Sequence, residues 1–413
     1  MTPLRRNRDF VLLQAGQLLS TAGSESTAIA YPLLVLALTH SPAKAGIVGF
    51  ARFLPYPAFA LLAGVAADRW NRKRLMLAAD AVRALAVGSL VAAIALDRLT
   101  FWQIPLVAFV EGCCYVLFNI AETGALRSVV PARQLPRAAA AEQGRLSVVI
   151  VSGPPAGGAL FGLGRALPFV FDVASYGASI LSLLAMRTPF QEERERNGEP
   201  LRAQILEGLQ WLWRHPFLRT CALIAGASNL AFEGLFLVLV VVARRQGLSS
   251  GTIGLMIACF GVCMLAGAVL APTFQKLLPV RTIVVMSFWT SLGFVGYIAH
   301  PDAWVLLGCA LPIAFFGPTL NSVVVGYRLA LVPDRLTGRV NSVARNIALL
   351  AQPLGPLAAG VLLGRFSARA TVAIFAAWLV AVAVWTTLSP SIRDAPSLDE
   401  LERLETASTV PAA

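Results

Sequence analysis

Glu25, Glu111 and Glu233 each stand in the middle of a long apolar run. An ionisable side chain at the centre of a bilayer helix costs ~2.5–3.5 kcal/mol or more on insertion scales, so each needs a reason. Low dielectric penalises the charged form, and a carboxyl group there can bind and release a proton as its cavity opens to one compartment and then the other. Arg52 is the available counter-charge for Glu25 or Glu111; the alternative reading is a buried structural ion pair. Glu233 has no basic residue nearby in its own run, which favours proton exchange there. Asn119, Asn229 and Asn321 add polar groups of the same kind within apolar runs. Asp80–Arg83 and Glu142–Arg145 read as structural i, i+3 pairs near span ends, and Asp172 as a structural residue toward the outer end of its span.

The elements that must carry these groups follow from composition. Of 413 residues, 57% are hydrophobic and only 14% charged, and runs of 18 or more apolar residues recur along the whole chain. That excludes a soluble domain and predicts an all-α, polytopic membrane protein. Strand alternation is absent, which excludes a barrel. Twelve spans are predicted, at about 10–38, 43–67, 75–96, 102–125, 139–163 and 166–187, then 216–243, 250–275, 282–299, 303–330, 340–364 and 370–389. The run from Phe10 to Leu38 has no convincing cleavage site, so it is read as an uncleaved first span. Basic residues gather on alternate loops, among them Arg69, Arg72, Lys73, Arg74, Arg133, Arg137, Arg335 and Arg339. The opposite loops hold only Lys44, Arg98, Arg165, Arg244, Arg245, Arg365 and Arg369, so the positive-inside rule places both termini in the cytoplasm of a cytoplasmic (inner) membrane protein. The net charge of +12 is dispersed over these loops, which argues for anionic lipid as its partner and against nucleic acid.

Residues 190–215 form a charged linker followed by an amphipathic helix, in which Leu201, Ile205, Leu209 and Leu212 recur at helical spacing and would lie on the inner leaflet. Residues 391–413 form a tail with a capping box at Ser397 and Glu400. Between them, 1–189 and 216–390 are related by an internal repeat. Val130-Pro131, Arg133, Arg137, Gly153-Pro154, Gly158 and Gly162 recur at an offset of 202 as Val332-Pro333, Arg335, Arg339, Gly355-Pro356, Gly360 and Gly364. Two pseudo-symmetric six-helix bundles with a site at their shared interface are the expectation.

Gly64, Asp68, Arg69, Arg72, Lys73 and Arg74 form the pattern Gly-x-x-x-Asp-Arg-x-x-Arg-Lys-Arg between the second and third spans. It resembles the helix 2–3 loop of the major facilitator superfamily, with Asn71 where the family usually has glycine, a residue that also tolerates unusual backbone angles. Asn7-Arg8-Asp9-Phe10, the segment Arg214–Arg219 and Gly254-Leu255 are similar to the branch containing the enterobactin exporter and macrolide efflux proteins. Gly153-Pro154-x-x-Gly157-Gly158 resembles the core of the helix-5 motif associated with antiporters, with Val149 in place of its leading glycine.

The resemblance implies that helices 1, 4, 7 and 10 line a central cavity, which would gather Glu25, Glu111, Glu233 and the three asparagines. It implies export of an amphipathic small molecule (a drug, a macrolide-like compound or a siderophore) by proton antiport, from a monomer without cofactor, metal or catalytic residue. Proton-coupled uptake, and a receptor or scaffold of the same fold, are the alternatives. No Walker loop is present, and His40, His215 and His300 fall in loops or at span ends. In the family pattern Asp68 and the following basic residues hold a cytoplasmic gate. Asp68→Asn is therefore expected to lower vesicle flux by roughly tenfold at unchanged abundance, the size of effect that loss of one charge-assisted contact produces; flux assays normalised to immunoblot check it.

Overall fold

The computed structural model describes residues 4–188, 190 and 201–395; the side chains of Leu61, Val65, Asp68, Leu201 and Asp334 lie outside the description, as do the expected linker residues 191–200 and the capping box of the tail. No strand occurs among the described residues. The first helices are α1 (Arg8–Thr39), α2 (Pro42–Phe53), α3 (Pro55–Arg69), α4 (Arg72–Ala95), α5 (Gln103–Val129), α6 (Leu135–Leu163) and α7 (Leu167–Ala185). After the undescribed stretch come α8 (Leu201–Arg214), α9 (Pro216–Arg245), α10 (Ser250–Leu277), α11 (Val280–Trp289) and α12 (Phe294–Ala299). The last are α13 (Ala303–Leu331), α14 (Asp334–Leu350), α15 (Leu354–Arg365), α16 (Ala368–Leu388) and α17 (Pro390–Arg393).

Short polar residues set the helix starts. Asn7, Ser41, Asn71, Asp302 and Ser367 each accept a backbone N–H of the first turn of α1, α2, α4, α13 and α16. Ten segments among the described residues are long and apolar enough to cross a membrane, which makes the chain a multi-pass helical membrane protein. The first two expected spans are outside that set. α1 carries Ser20, Thr21, Ser24, Glu25, Ser26 and Thr27 in its middle, which lowers its hydropathy. The second is divided at Leu54, where Pro55 supplies no N–H.

The repeat is visible in the local structure, with one difference. Pro131 and Pro333 both stand just before a helix, but α6 runs unbroken through Gly153-Pro154, whereas the matching Gly355-Pro356 follows a break between α14 and α15.

Contacts divide the chain into two compact units. One comprises Met1–Glu195, Phe236–Gly261 and Pro356–Arg365; the other comprises Arg196–Leu235, Val262–Gly355 and Phe366–Ala413. In the first, α1 packs along both α6 and α7. Gly16 and Gly23 of α1 have no room for a side chain, since a Cβ on Gly23 would stand 2.5 Å from Asp172 Oδ1. Small residues therefore bring α1 and α7 close enough for their polar groups to bond. Gly157 of α6 packs on the Ser26 backbone, and Gly158 on Ser250 and Gly254 of α10. A Cβ on Gly49 of α2 would lie 2.6 Å from Pro356. At the far end Asp9 accepts the N–H groups of Arg187 and Thr188 at 3.2 and 2.8 Å, satisfying the exit of α7.

In the second unit α8 is amphipathic as expected, but its apolar face is covered by protein. Leu212 is wholly buried in a core with Phe217, Val284, Tyr327 and Val340, and Ile205 and Leu209 pack against it. On the other side Glu207 bonds Arg335 at 2.9 Å and also Arg339, both on α14. Slight desolvation raises the Glu207 carboxyl, but the Arg339 hydrogen bond and the two positive charges outweigh it and hold the group below its usual value. A carboxyl lowered in the folded state contributes stability above its unfolded pKa and loses it as pH falls through the folded one. Amide protection factors along α8 should accordingly fall as pH drops below about 4.3, the ordinary glutamate value, and Glu207→Gln should remove that pH dependence in hydrogen-exchange measurements.

Candidate functional site

The face of α1 formed by Gln17, Ser20, Ser24, Thr27 and Tyr31 repeats at spacings of three and four and is buried along its length. It meets a similar face of α7, in Asp172, Ser175, Tyr176 and Ser179. Gln17 donates to Ser179 Oγ at 3.3 Å, Ser24 shares a 3.0 Å bond with Tyr176, and Thr27 donates to Asp172 Oδ2 at 3.2 Å. The two helices are joined by a polar seam running through an otherwise apolar unit.

Charges are set into that seam from neighbouring helices. Glu111 of α5 is 3% exposed and accepts from Tyr31 at 2.7 Å and from Tyr176 at 3.4 Å. Arg83 of α4 pairs with Asp80 at 3.2 Å, donates to Ser24 Oγ at 3.3 Å, and lies 4.5 Å from the Tyr176 ring centre. Arg52, half-buried on α2, donates to the Ser24 carbonyl at 3.0 Å and sits 5.6 Å from the Tyr31 ring centre. The ion pair expected between Arg52 and Glu25 or Glu111 is not formed among the described residues; a backbone carbonyl and an aromatic face take its place. Glu25, one residue on from Ser24, is held against α6, where a Cβ on Gly153 would lie 2.5 Å from its own Cβ.

The charge count is uneven. Asp80, Glu111 and Asp172 are all buried at 3% exposure or less, against a single equally buried cation, Arg83. Asp80 takes that cation, leaving Glu111 and Asp172 with hydroxyl donors and no cationic contact among the described residues. A buried carboxylate with no ion-pair partner must be satisfied by hydrogen bonds, and here the hydroxyl groups of Tyr31, Tyr176 and Thr27 supply them.

The structure brings Glu25, Arg52 and Glu111 together in the first unit. Glu233 lies in the second, where Gln352 donates to it at 2.8 Å. Asn229 donates to the Ala348 carbonyl at 2.8 Å, and Asn229 and Asn321 line a cavity of about 520 Å³ between α9, α11, α13 and α14. The Asn119 side chain joins none of these groups; only its carbonyl is engaged, by Thr123 at 2.9 Å.

Other expectations are revised. The Gly64–Arg74 pattern is mostly helix rather than loop: Gly64–Arg69 end α3, Arg72–Arg74 begin α4, and only Trp70 and Asn71 intervene. Asn71 has ordinary extended angles (φ −61°, ψ 115°) and caps α4 by accepting from Arg74 N. Lys73 donates to the Met186 carbonyl at 2.7 Å, and Arg72 covers Gly124, where a Cβ would lie 2.6 Å from its Nε. Arg145 pairs at 3.1 Å with Glu122 across to α5, not with Glu142 one turn away. Asp172, read from the sequence as structural, is fully buried and joins α7 to α1 by accepting from Thr27 in the seam. The Asp80–Arg83 pair forms as expected, but Arg83's place in the seam and the roles of Tyr31 and Tyr176 were missed by sequence reasoning; the three- and four-residue spacing of hydroxyl residues in the first span was the signal.

The chain matches the family profile described as Major Facilitator Superfamily over residues 14–277 and 221–411. It is 28% identical to a protein of Mycobacterium tuberculosis named multidrug efflux pump Tap, over 95% of this chain and 97% of the relative. Identity to macrolide efflux protein A of Streptococcus pyogenes is 23%, over 94% of this chain and 97% of that protein. Among solved structures, the fold is similar to a bacterial homologue of the human lysosomal transporter Spinster in an inward-facing, unoccupied conformation (TM-score 0.73, 14% identity, 94% of this chain and 97% of that one). It is also similar to a bacterial homologue of the iron transporter ferroportin (TM-score 0.71, 15% identity, 94% and 98%).

Because both members are buried, breaking the Glu122–Arg145 pair should be severe. Arg145→Met is expected to cost about 3–5 kcal/mol of stability, and adding Glu122→Gln should recover most of it, as measured by thermal unfolding in detergent.

Proposed function

Since the chain belongs to the major facilitator superfamily, we propose that it is a secondary efflux transporter that exports an amphipathic small molecule by proton antiport. The efflux half of the reading is supported by relatives named for multidrug and macrolide efflux that align along nearly their full length. A siderophore is the less favoured cargo, since none of the relatives given above is named for one. In this reading twelve helices cross the cytoplasmic membrane with both termini inside, and two six-helix halves rock about a cavity.

The observation that carries the proton half is the excess of acids among the most deeply buried residues of the seam, Asp80, Glu111 and Asp172 against Arg83. Glu111 and Asp172 can each hold a proton without disturbing an ion pair, because Tyr31, Tyr176 and Thr27 bond either protonation state. Arg52 and Arg83, tied to Ser24 by a carbonyl and a hydroxyl respectively, would respond when a carboxyl beside them becomes charged. Protonation would thus alter the bonding of α1 to α5 and α7, the helices that carry the seam. Glu233, which accepts from Gln352, would be a second proton site in the other unit. Asp68, Arg69 and the Arg72–Arg74 turn would serve as the inner gate. Gly157 and Gly158 would let α6 slide against α1 and α10 during the exchange.

Uptake by symport uses the same proton sites, so direction must be measured. In inverted vesicles with a macrolide added to the external medium, wild type should show drug-dependent proton movement. Glu111→Gln, which preserves the hydroxyl bonds but cannot ionise, should reduce that movement by about tenfold or more while the protein remains folded. Unchanged coupling in both Glu111→Gln and Asp172→Asn would remove the seam from the mechanism, and drug accumulation opposite in sign would select uptake.

A further inference from the structure

The cavity of the second unit has a charge that the export mechanism does not use. Its volume of about 520 Å³ falls in the range of small-molecule sites. Most of its wall is apolar, with Phe232, Phe288, Ile313 and Leu320 supplying much of the bulk. The charged residues among those lining it are Arg328 of α13 and Arg345 of α14, and no aspartate or glutamate lines it among the described residues.

Among the described residues no acid neutralises either arginine. Arg328 donates to the Val324 carbonyl and to Asn341 Oδ1, both at the long distance of 3.4 Å and both neutral acceptors. Arg345 forms no ion pair among the described residues. The asparagine amides reinforce the donor character: Asn341 spends its oxygen on Arg328 and keeps its N–H groups for another acceptor. Guanidinium groups in an aromatic and aliphatic wall are the chemistry that an oxyanion attached to an apolar body requires.

We propose that this cavity binds an amphipathic anion, with a carboxylate, sulfonate or phosphate group at Arg328 and Arg345 and its apolar part between Phe232, Phe288 and Leu320. The same chemistry is offered by a soluble organic anion and by the headgroup of an anionic phospholipid. The binding reading is independent of export and is measured without a gradient, so loss of either reading leaves the other standing.

The probes are 5-dimethylaminonaphthalene-1-sulfonate and its uncharged sulfonamide, which share a ring system and differ in charge. Each is titrated by fluorescence against the full chain in a neutral maltoside detergent. The sulfonate should bind about tenfold or more tighter than the sulfonamide, as one charge-assisted contact predicts. Arg328→Gln/Arg345→Gln should abolish that preference, while Arg328→Lys/Arg345→Lys should keep most of it. Ala225→Phe, which narrows the cavity without altering either arginine, should weaken both probes and provides a test if the glutamine variant does not fold. Competition by dihexanoyl phosphatidylglycerol but not dihexanoyl phosphatidylcholine assigns the anion to lipid; competition by neither assigns it to a soluble compound. Equal affinity for the two probes, or sulfonate binding unaffected by both the glutamine and the Ala225→Phe variants, would overturn the proposal.

Discussion

A charged group inside hydrocarbon must find a partner within the protein, and most of the first unit can be understood as the answer to that demand. The seam between α1 and α7 supplies hydroxyl and amide groups in place of water, and the glycines on α1 allow the backbones to come near enough for short side chains to reach. Arg83, Arg52 and Glu111 arrive from three further helices and use the same groups, above all Ser24, whose hydroxyl and carbonyl serve two arginines and a tyrosine. Each bond is ordinary; the density of shared partners is what fixes five helices in register.

The internal repeat has diverged between the two units. The first unit buries several acids in its seam and retains an unbroken α6, packed on Glu25 and Ser26 through Gly153 and Gly157. The second has a break at the corresponding point, between α14 and α15, and an apolar cavity whose charges are both positive.

Several residues that carry a family signature turn out to have definite local work. Asn7 caps α1 and donates to Val129 at 2.9 Å, and Asp9 closes the exit of α7. In the Gly64–Arg74 pattern, Asn71 caps a helix and Lys73 secures the end of α7 through Met186. These contacts tie the basic end of the unit together before any question of gating arises.

Sequence alone determined the helical membrane class, nearly every helix to within a few residues, the repeat and the family, because apolar runs of bilayer length and the Gly64–Arg74 spacing are properties of the chain read in one dimension. It also singled out Glu25, Glu111, Arg52 and Glu233, since a charge in an apolar run is conspicuous wherever it points. Partner choice was decided only in three dimensions. Arg145 passes over Glu142 one turn away for Glu122 on another helix, Arg52 takes a carbonyl and a ring instead of a carboxylate, and Asp172 joins the seam because α7 packs along α1. Helical spacing specifies which residues share a face, but which face meets which neighbour depends on the packing of all the helices at once, and the bonding of a buried charge follows from that packing.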